Sequence, residues 1–174
     1  DELIFLPILG TTASANLYEV AEASITPVTP TLIPLLQRKK DYRPTPLFSV
    51  EWAKLNTHNP PLDDLRVRYA LNMAVDKRAL ANMRPGQMPA VTLVPPLKGY
   101  EPAARILARR GDSDVDVLAF NPCGGRELLE SAIGRRPTRI GYTHPPFPSM
   151  RLGALILQQQ WRQTLGIELD LIQR

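Results

Sequence analysis

Residues 60–80 read "PPLDDLRVRYALNMAVDKRAL". Two helix starts, each opened by acid and followed by base, lie within this one short run. Pro60 and Pro61 hold the chain extended and disfavour helix before them. Asp63 is then placed to cap the free N–H groups of a helix beginning near Asp64. Leu62, Leu65 and Tyr69 form one apolar stripe, and Val67, Ala70, Leu71 and Ala74 form another at helical spacing. A helix contacted on more than one side sits inside its domain. Asp64 and Arg68 stand four residues apart in the acid-first order that favours an ion pair. Asp76 caps a second helix, Lys77 to about Met83, which ends before Pro85-Gly86. These residues predict caps and core rather than chemistry. Asp64, Arg68 and Asp76 are therefore expected to be scaffold, with truncation of Arg68 costing about 1–3 kcal/mol.

The rest of the chain sets the bounds. Its 174 residues, 44% apolar and 22% charged, suit one globular domain over 1–174 with a real core. No apolar run reaches the ~18 residues of a membrane span. The first residues, "DELIFLPILG", lack the basic region and small-residue cleavage site of a signal peptide. Both edges read as cut from a longer protein, since "IELDLIQR" stops on a strand-like alternation. The net charge is +4, but the basic residues are scattered as Arg38-Lys39-Lys40, Arg109-Arg110 and Arg135-Arg136. Aromatic residues, at 6%, are too few to interleave with them, so no nucleic-acid surface is expected. Cys123 is the sole cysteine, which excludes an internal disulfide and a cysteine-based zinc site.

Along the chain, strands and helices alternate. Glu2 to Leu9 reads as a strand, "TTASANLYEVAEAS" as a helix, and Ser24 to Thr26 as a short strand. Thr29 and Pro30 open a short helix over "TPTLIPLLQRKKDY". "PLFSVEWAKLNT" reads as a strand with Phe48, Val50 and Trp52 on one face. Gly86 to Pro102 is an irregular connection, with "AVTLV" able to pair briefly. "EPAARILARRG" predicts a helix with Pro102 at its start and Gly111 at its end, and "VDVLAF" a strand. Asn121-Pro122 opens a helix over "CGGRELLESAIG", weakened in its first turn by two glycines. "PTRIGYTH" is a strand. Ser149 caps the longest helix, with Leu152, Leu155, Ile156 and Gln159 on one stripe and Gly166 past its end. "IELDLI" closes as a strand with Ile167, Leu169 and Leu171 on one face. This pattern predicts an α/β fold, a mixed sheet flanked by helices.

Catalytic constellations are sparse. His58 and His144 both fall in loops, without a carboxylate or second histidine at ligand spacing, and are expected to face solvent. No glycine-rich phosphate loop and no nucleophile elbow is present. Asp112, Asp114 and Asp116 alternate as in a calcium loop, but the glycine and distal glutamate are misplaced. No metal, no cofactor and no enzymatic activity are expected. Trp52, on its strand just before "LNT", is the aromatic best placed to line a pocket. Trp161 is a core or boundary residue.

The wider stretch "LNTHNPPLDDLRVRYALNMAVDKRAL" closely resembles the signature of the family-5 extracellular solute-binding proteins, the binding components of oligopeptide, dipeptide and nickel ABC importers. Asn56, Pro61, Asp63, Asp64, Val67, Arg68, Ala70, Leu71, Ala74, Asp76 and Leu80 carry the match. "DELIFLPI" with "ANLYEVAEAS" is similar to the family's strand and helix, Ala21 and Ser24 standing where that pattern has glycine and aspartate. "VPPLKGYEP" resembles its proline-rich turn. "NPCGGRELLESAIG" matches at Pro122, Arg126, Leu128, Leu129, Ala132 and Gly134. "RLGALILQQQWRQTLGIELDLI" resembles its closing helix and strand, with Trp161 in place.

The resemblance implies part of the second, C-terminal lobe of a type II periplasmic binding protein. The first lobe and the later Trp-x-x-Asp-Tyr-x-Asp region of the second fall outside the match. By implication Trp52 and Asn56 meet the ligand, a peptide or other small solute. The partners implied are the opposing lobe and an ABC transporter permease, and the implied location is the periplasm or another extracytoplasmic space. The alternative is a ligand-sensing module of a regulatory protein, fused to a DNA-binding or kinase segment.

Overall fold

The computed structural model describes residues 2–7, 10–45, 47, 49–90, 92–94, 99, 105–110 and 113–174. The chain divides into two compact units, 1–45 and 46–174.

The first unit holds helices α1 (Thr11–Glu19) and α2 (Ile33–Leu36). None of its described residues is buried, and polar contacts tie it together. The Ser14 and Thr26 hydroxyls lie 2.5 Å apart, the Tyr18 hydroxyl donates to Asp41 at 2.5 Å, and Lys39 pairs with Glu19. The Asp41 hydrogen bond raises the pKa of the Tyr18 hydroxyl, and the same bond lowers that of Asp41. Just past α1 the backbone at Ala21 has φ +60°. That left-handed conformation crowds a Cβ and costs about 1 kcal/mol, which is the physical reason the related pattern carries glycine there. Residues 2–7 form no strand and are exposed, and residues 8–9 of the expected strand lie outside the described residues. Ser24 to Thr26 is likewise irregular, and α2 begins after Leu32 rather than at Pro30.

The second unit contains α3 (Leu65–Met73), α4 (Lys77–Asn82), β1 (Leu107–Arg110), β2 (Ser113–Asp116), α5 (Pro122–Ile133), β3 (Thr138–His144), α6 (Pro148–Leu165) and β4 (Ile167–Gln173). Asp64, one residue later than expected, caps α3: its carboxylate accepts the Arg66 N–H at 2.8 Å. The predicted Asp64–Arg68 pair does not form. Arg66 takes Asp64 (2.6 Å) because the cap aims the carboxylate back over the first turn, while Arg68 donates to the Leu62 and Asp63 carbonyls at 2.8 and 2.9 Å. Arg68 thus stitches the entering loop to the helix.

The two closely spaced helix starts follow from the way α3 ends. The last four carbonyls of a helix lack intrahelical partners, and here three of them find one. Asn72 O accepts from Val75 N at 3.2 Å, and Met73 O from Asn121 N at 2.9 Å. Leu71 O accepts the Trp161 indole N–H at 3.0 Å. α3 can therefore stop inside the core. Asp76 then restarts the chain as α4, its carboxylate accepting from the N–H groups of Arg78 and Ala79 at 3.0 and 2.9 Å. Gln160 of α6 clamps the same joint, accepting the Asp76 N–H at 3.0 Å.

Around this joint Val67, Leu71, Met73, Val117, Ile167 and Leu169 are essentially inaccessible. α3 packs on α5 through the two glycines that weaken that helix's first turn. A Cβ at Gly125 would lie 3.1 Å from the Ala70 carbonyl oxygen, so close backbone approach is their role. β3 and β4 pair in parallel, Thr138 opposite Ile167 through His144 opposite Gln173, with α6 as the crossover that a parallel pair requires. Gly166, at φ +70°, closes α6 with its N–H on Arg162 O. Ile167 and Leu169 point inward, as the alternation predicts.

Three expectations need correction. Residues 105–110 are not helical: Leu107–Arg110 pairs antiparallel with Ser113–Asp116, and residues 101–104 and 111 lie outside the described residues. The strand expected over 46–57 is absent at residues 47 and 49–56, with 46 and 48 not described, and of "AVTLV" residues 92–94 are bends while 91 is not described. On α6, whose N-cap is Phe147 rather than Ser149, the Leu152–Leu155 stripe is largely exposed. The opposite face, Gly153, Ala154, Trp161 and Leu165, is buried, because small residues and Trp161 fit against the α3–α4 joint. The strands form two separate two-stranded sheets among the described residues, one antiparallel and one parallel, so the class is α/β as expected.

Candidate functional site

Residues 49–56 run without regular structure, and Leu55 anchors them at the edge of the core. From this stretch Glu51 reaches Arg84, the residue after the α4 cap. Arg84 is only 7% exposed. Its Nη2 donates to Glu51 Oε1 at 2.9 Å and its Nη1 to Oε2, a two-pronged match of guanidinium to carboxylate. Gln87 Nε2 donates to the same Oε1 at 3.0 Å. A Cβ at Gly153 would sit 3.4 Å from Arg84 Nη1, so the arginine lies flat against a bare stretch of α6. Arg84 Nε is buried with no partner among the described residues.

β3 supplies the neighbouring wall. Tyr142 is half-buried, and its hydroxyl pKa is raised by that burial first, with the Glu51 charge adding and Arg84 opposing. Its ring stacks on His144 with centroids 6.5 Å apart. His144 is buried rather than in a solvent-facing loop, because it ends β3 on the inward side. Its Nδ1 lies 2.9 Å from the Pro145 carbonyl oxygen, which can only accept, so Nδ1 carries the proton. His58 is exposed in a turn, as expected.

Trp52 projects next to Glu51 and is 60% exposed. Asn56 is exposed too, its side-chain oxygen accepting the His58 N–H at 3.2 Å. The two share one exposed stretch. Open clefts lie elsewhere, one of about 540 Å³ along Gln158, Gln159, Arg162 and Gln163, another of about 780 Å³ between Pro60-Pro61 and residues 132–139. Among the described residues no three metal-ligating side chains converge. Of the "GDSDVD" aspartates, Asp112 lies outside the described residues, Asp114 faces Arg109 across the hairpin, and Asp116 accepts the Leu118 N–H at 3.0 Å.

Sequence reasoning missed Glu51, Arg84, Tyr142 and Gly153. The available signal was slight: a lone acid alternating with apolar residues in "SVEWA", and an arginine set directly before Pro85-Gly86. Nothing local couples residues 33 positions apart.

The arrangement is that of a packed wall with an exposed polar and aromatic edge. In sequence and fold the chain is similar to known proteins. The family model described as "Bacterial extracellular solute-binding proteins, family 5 Middle" matches residues 1–174. The oligopeptide-binding protein OppA of Bacillus subtilis is 29% identical over 80% of this chain and 26% of its own length. A probable di/tripeptide-binding protein 5 of Pseudomonas aeruginosa is 36% identical over 66% of this chain and 20% of its own. The solved structure of Burkholderia pseudomallei OppA superposes with a TM-score of 0.72 at 22% identity, over 97% of this chain and 34% of that one, which shows the fold. The chain spans about a fifth to a third of the length of these relatives. It belongs to the family-5 bacterial extracellular solute-binding proteins.

Proposed function

We propose that this chain is part of the second lobe of a peptide-capturing component of an ABC importer. The observation that carries the reading is the family match along residues 1–174, together with relatives named for oligopeptide and di/tripeptide binding. In this reading an opposing lobe closes on the ligand by a hinge motion. Trp52 offers an apolar face and Asn56 an amide at the cleft edge, fitting the mixed apolar and hydrogen-bonding surface of a short peptide. The captured solute passes to a permease, and capture takes place outside the cytoplasm. The protein binds and does not transform its ligand. The sensor alternative has less support, since the relatives named above are binding proteins.

The test is thermal unfolding of the full-length protein against di- to pentapeptides, sugars and metal chelates. A ligand at a hundredfold over its Kd adds about 2.7 kcal/mol to the native state. A raised midpoint with peptides alone is the expected result. A rise with sugars or chelates alone would replace the peptide reading.

A further inference from the structure

Residues 50–55 have no strand partner, and among the described residues their polar tie to the helices is the Glu51 carboxylate. That carboxylate is gripped by a buried arginine at the exit of α4, backed by the bare backbone at Gly153 of α6. Two nitrogens of one rigid guanidinium on two oxygens of one carboxylate fix direction as well as distance. Gln87 holds the same oxygen from a second side. Trp52 is the next residue.

We propose that Arg84 is a positioning residue for ligand capture: through Glu51 it sets the direction of the 51–56 stretch and thereby holds Trp52 pre-aimed. This rests on the peptide-binding reading of Trp52 given above. Solvation alone would not require an arginine here, since Arg84 is shielded from water and its Nε has no partner among the described residues. Burying it with a half-exposed glutamate costs desolvation, and that cost is offset functionally if an ordered binding edge results. A pre-ordered edge loses less freedom when the ligand arrives.

Replacing a buried ion pair by uncharged groups of similar size is often neutral for stability. The double variant Glu51→Gln with Arg84→Met therefore separates positioning from folding. Full-length protein is labelled with 5-fluorotryptophan, and the Trp52 line is identified by its loss in Trp52→Phe. The expected result is a narrow Trp52 line in the wild type and a broadened or split one in the double variant, melting points agreeing within about 2 °C. Peptide affinity falls about tenfold through a faster off-rate. The milder Glu51→Gln change alone, which keeps Arg84 in place, broadens the same line to a smaller degree and serves if the double variant does not fold. An unchanged Trp52 line, or wild-type affinity in the double variant, overturns the proposal. Should the wild type bind no peptide, the peptide reading fails while the fluorine line still decides whether Arg84 positions Trp52.

Discussion

The α3–α4 joint and the Glu51–Arg84 corner both place charged side chains against the core of the same unit, and they are held in opposite ways. At the joint, acid caps and arginine act within a few residues of their partners: Asp64 on Arg66, Arg68 on Leu62 and Asp63, Asp76 on Arg78 and Ala79. At the corner, a single carboxylate without a strand around it depends on an arginine far along the chain. In the proposed reading the joint serves folding and the corner serves aiming. The joint combines local caps with the long-range contacts of Trp161 and Gln160, whereas the corner has no local cap and relies on long-range partners alone.

The largest effect is expected at the joint. Leu71→Ala empties a core site that is 2% exposed and should cost about 3 kcal/mol. Urea unfolding measures it, and a loss below about 1 kcal/mol would mean that the joint is not the centre of the core. Asp76→Ala removes a carboxylate that accepts two N–H groups and should cost about 1 kcal/mol. Ala21→Gly relieves a left-handed residue and should gain about 0.5 kcal/mol, the strain removed slightly exceeding the added freedom of the unfolded chain. A loss at Ala21→Gly would deny the conformation on which that reading rests.

The smallest effect is a pH dependence at Lys77, whose ammonium donates to the Leu118 carbonyl at 3.2 Å. Burial pushes its pKa below the ordinary 10.5, with Asp116 opposing. Between the lowered value and 10.5 the unfolded chain binds more proton than the folded one, so this group's contribution to stability rises with pH across that window. Subtracting the urea midpoints of Lys77→Met from those of the wild type should reveal the rise. A difference that stays flat would place Lys77 in open water.

Those same two regions explain how much was legible in the sequence. α3, α4, α5, β3, α6 and β4 each carry their own start or stop: Asp64, Asp76, Asn121-Pro122, the period of two in "IELDLI", Gly134 and Gly166. The joint was therefore readable, apart from which aspartate caps α3 and which arginine answers Asp64. "RILARR" was misread as helix because alanine, leucine and arginine favour one, and pairing with Ser113–Asp116 overrode that preference. On α6 the leucine stripe says nothing of which face is buried: Leu152 and Leu155 stay exposed, whereas Gly153 and Ala154 are buried. Trp52 stands out by its place before "LNT" and Asn56 by lying in the matched signature, and both are proposed ligand contacts. The arginine behind them could not be named, since its partner is chosen only when the chain has folded.

Hydrogen exchange on the full-length protein, with and without a saturating short peptide, bears most directly on the division between scaffold and aimed edge. Exchange rates report local opening one segment at a time. Peptide should slow the amides of residues 50–56 and leave those of α3 and α5, already protected, unchanged. If calorimetry registers binding while residues 50–56 exchange as before, the edge at Trp52 is not where the ligand is met.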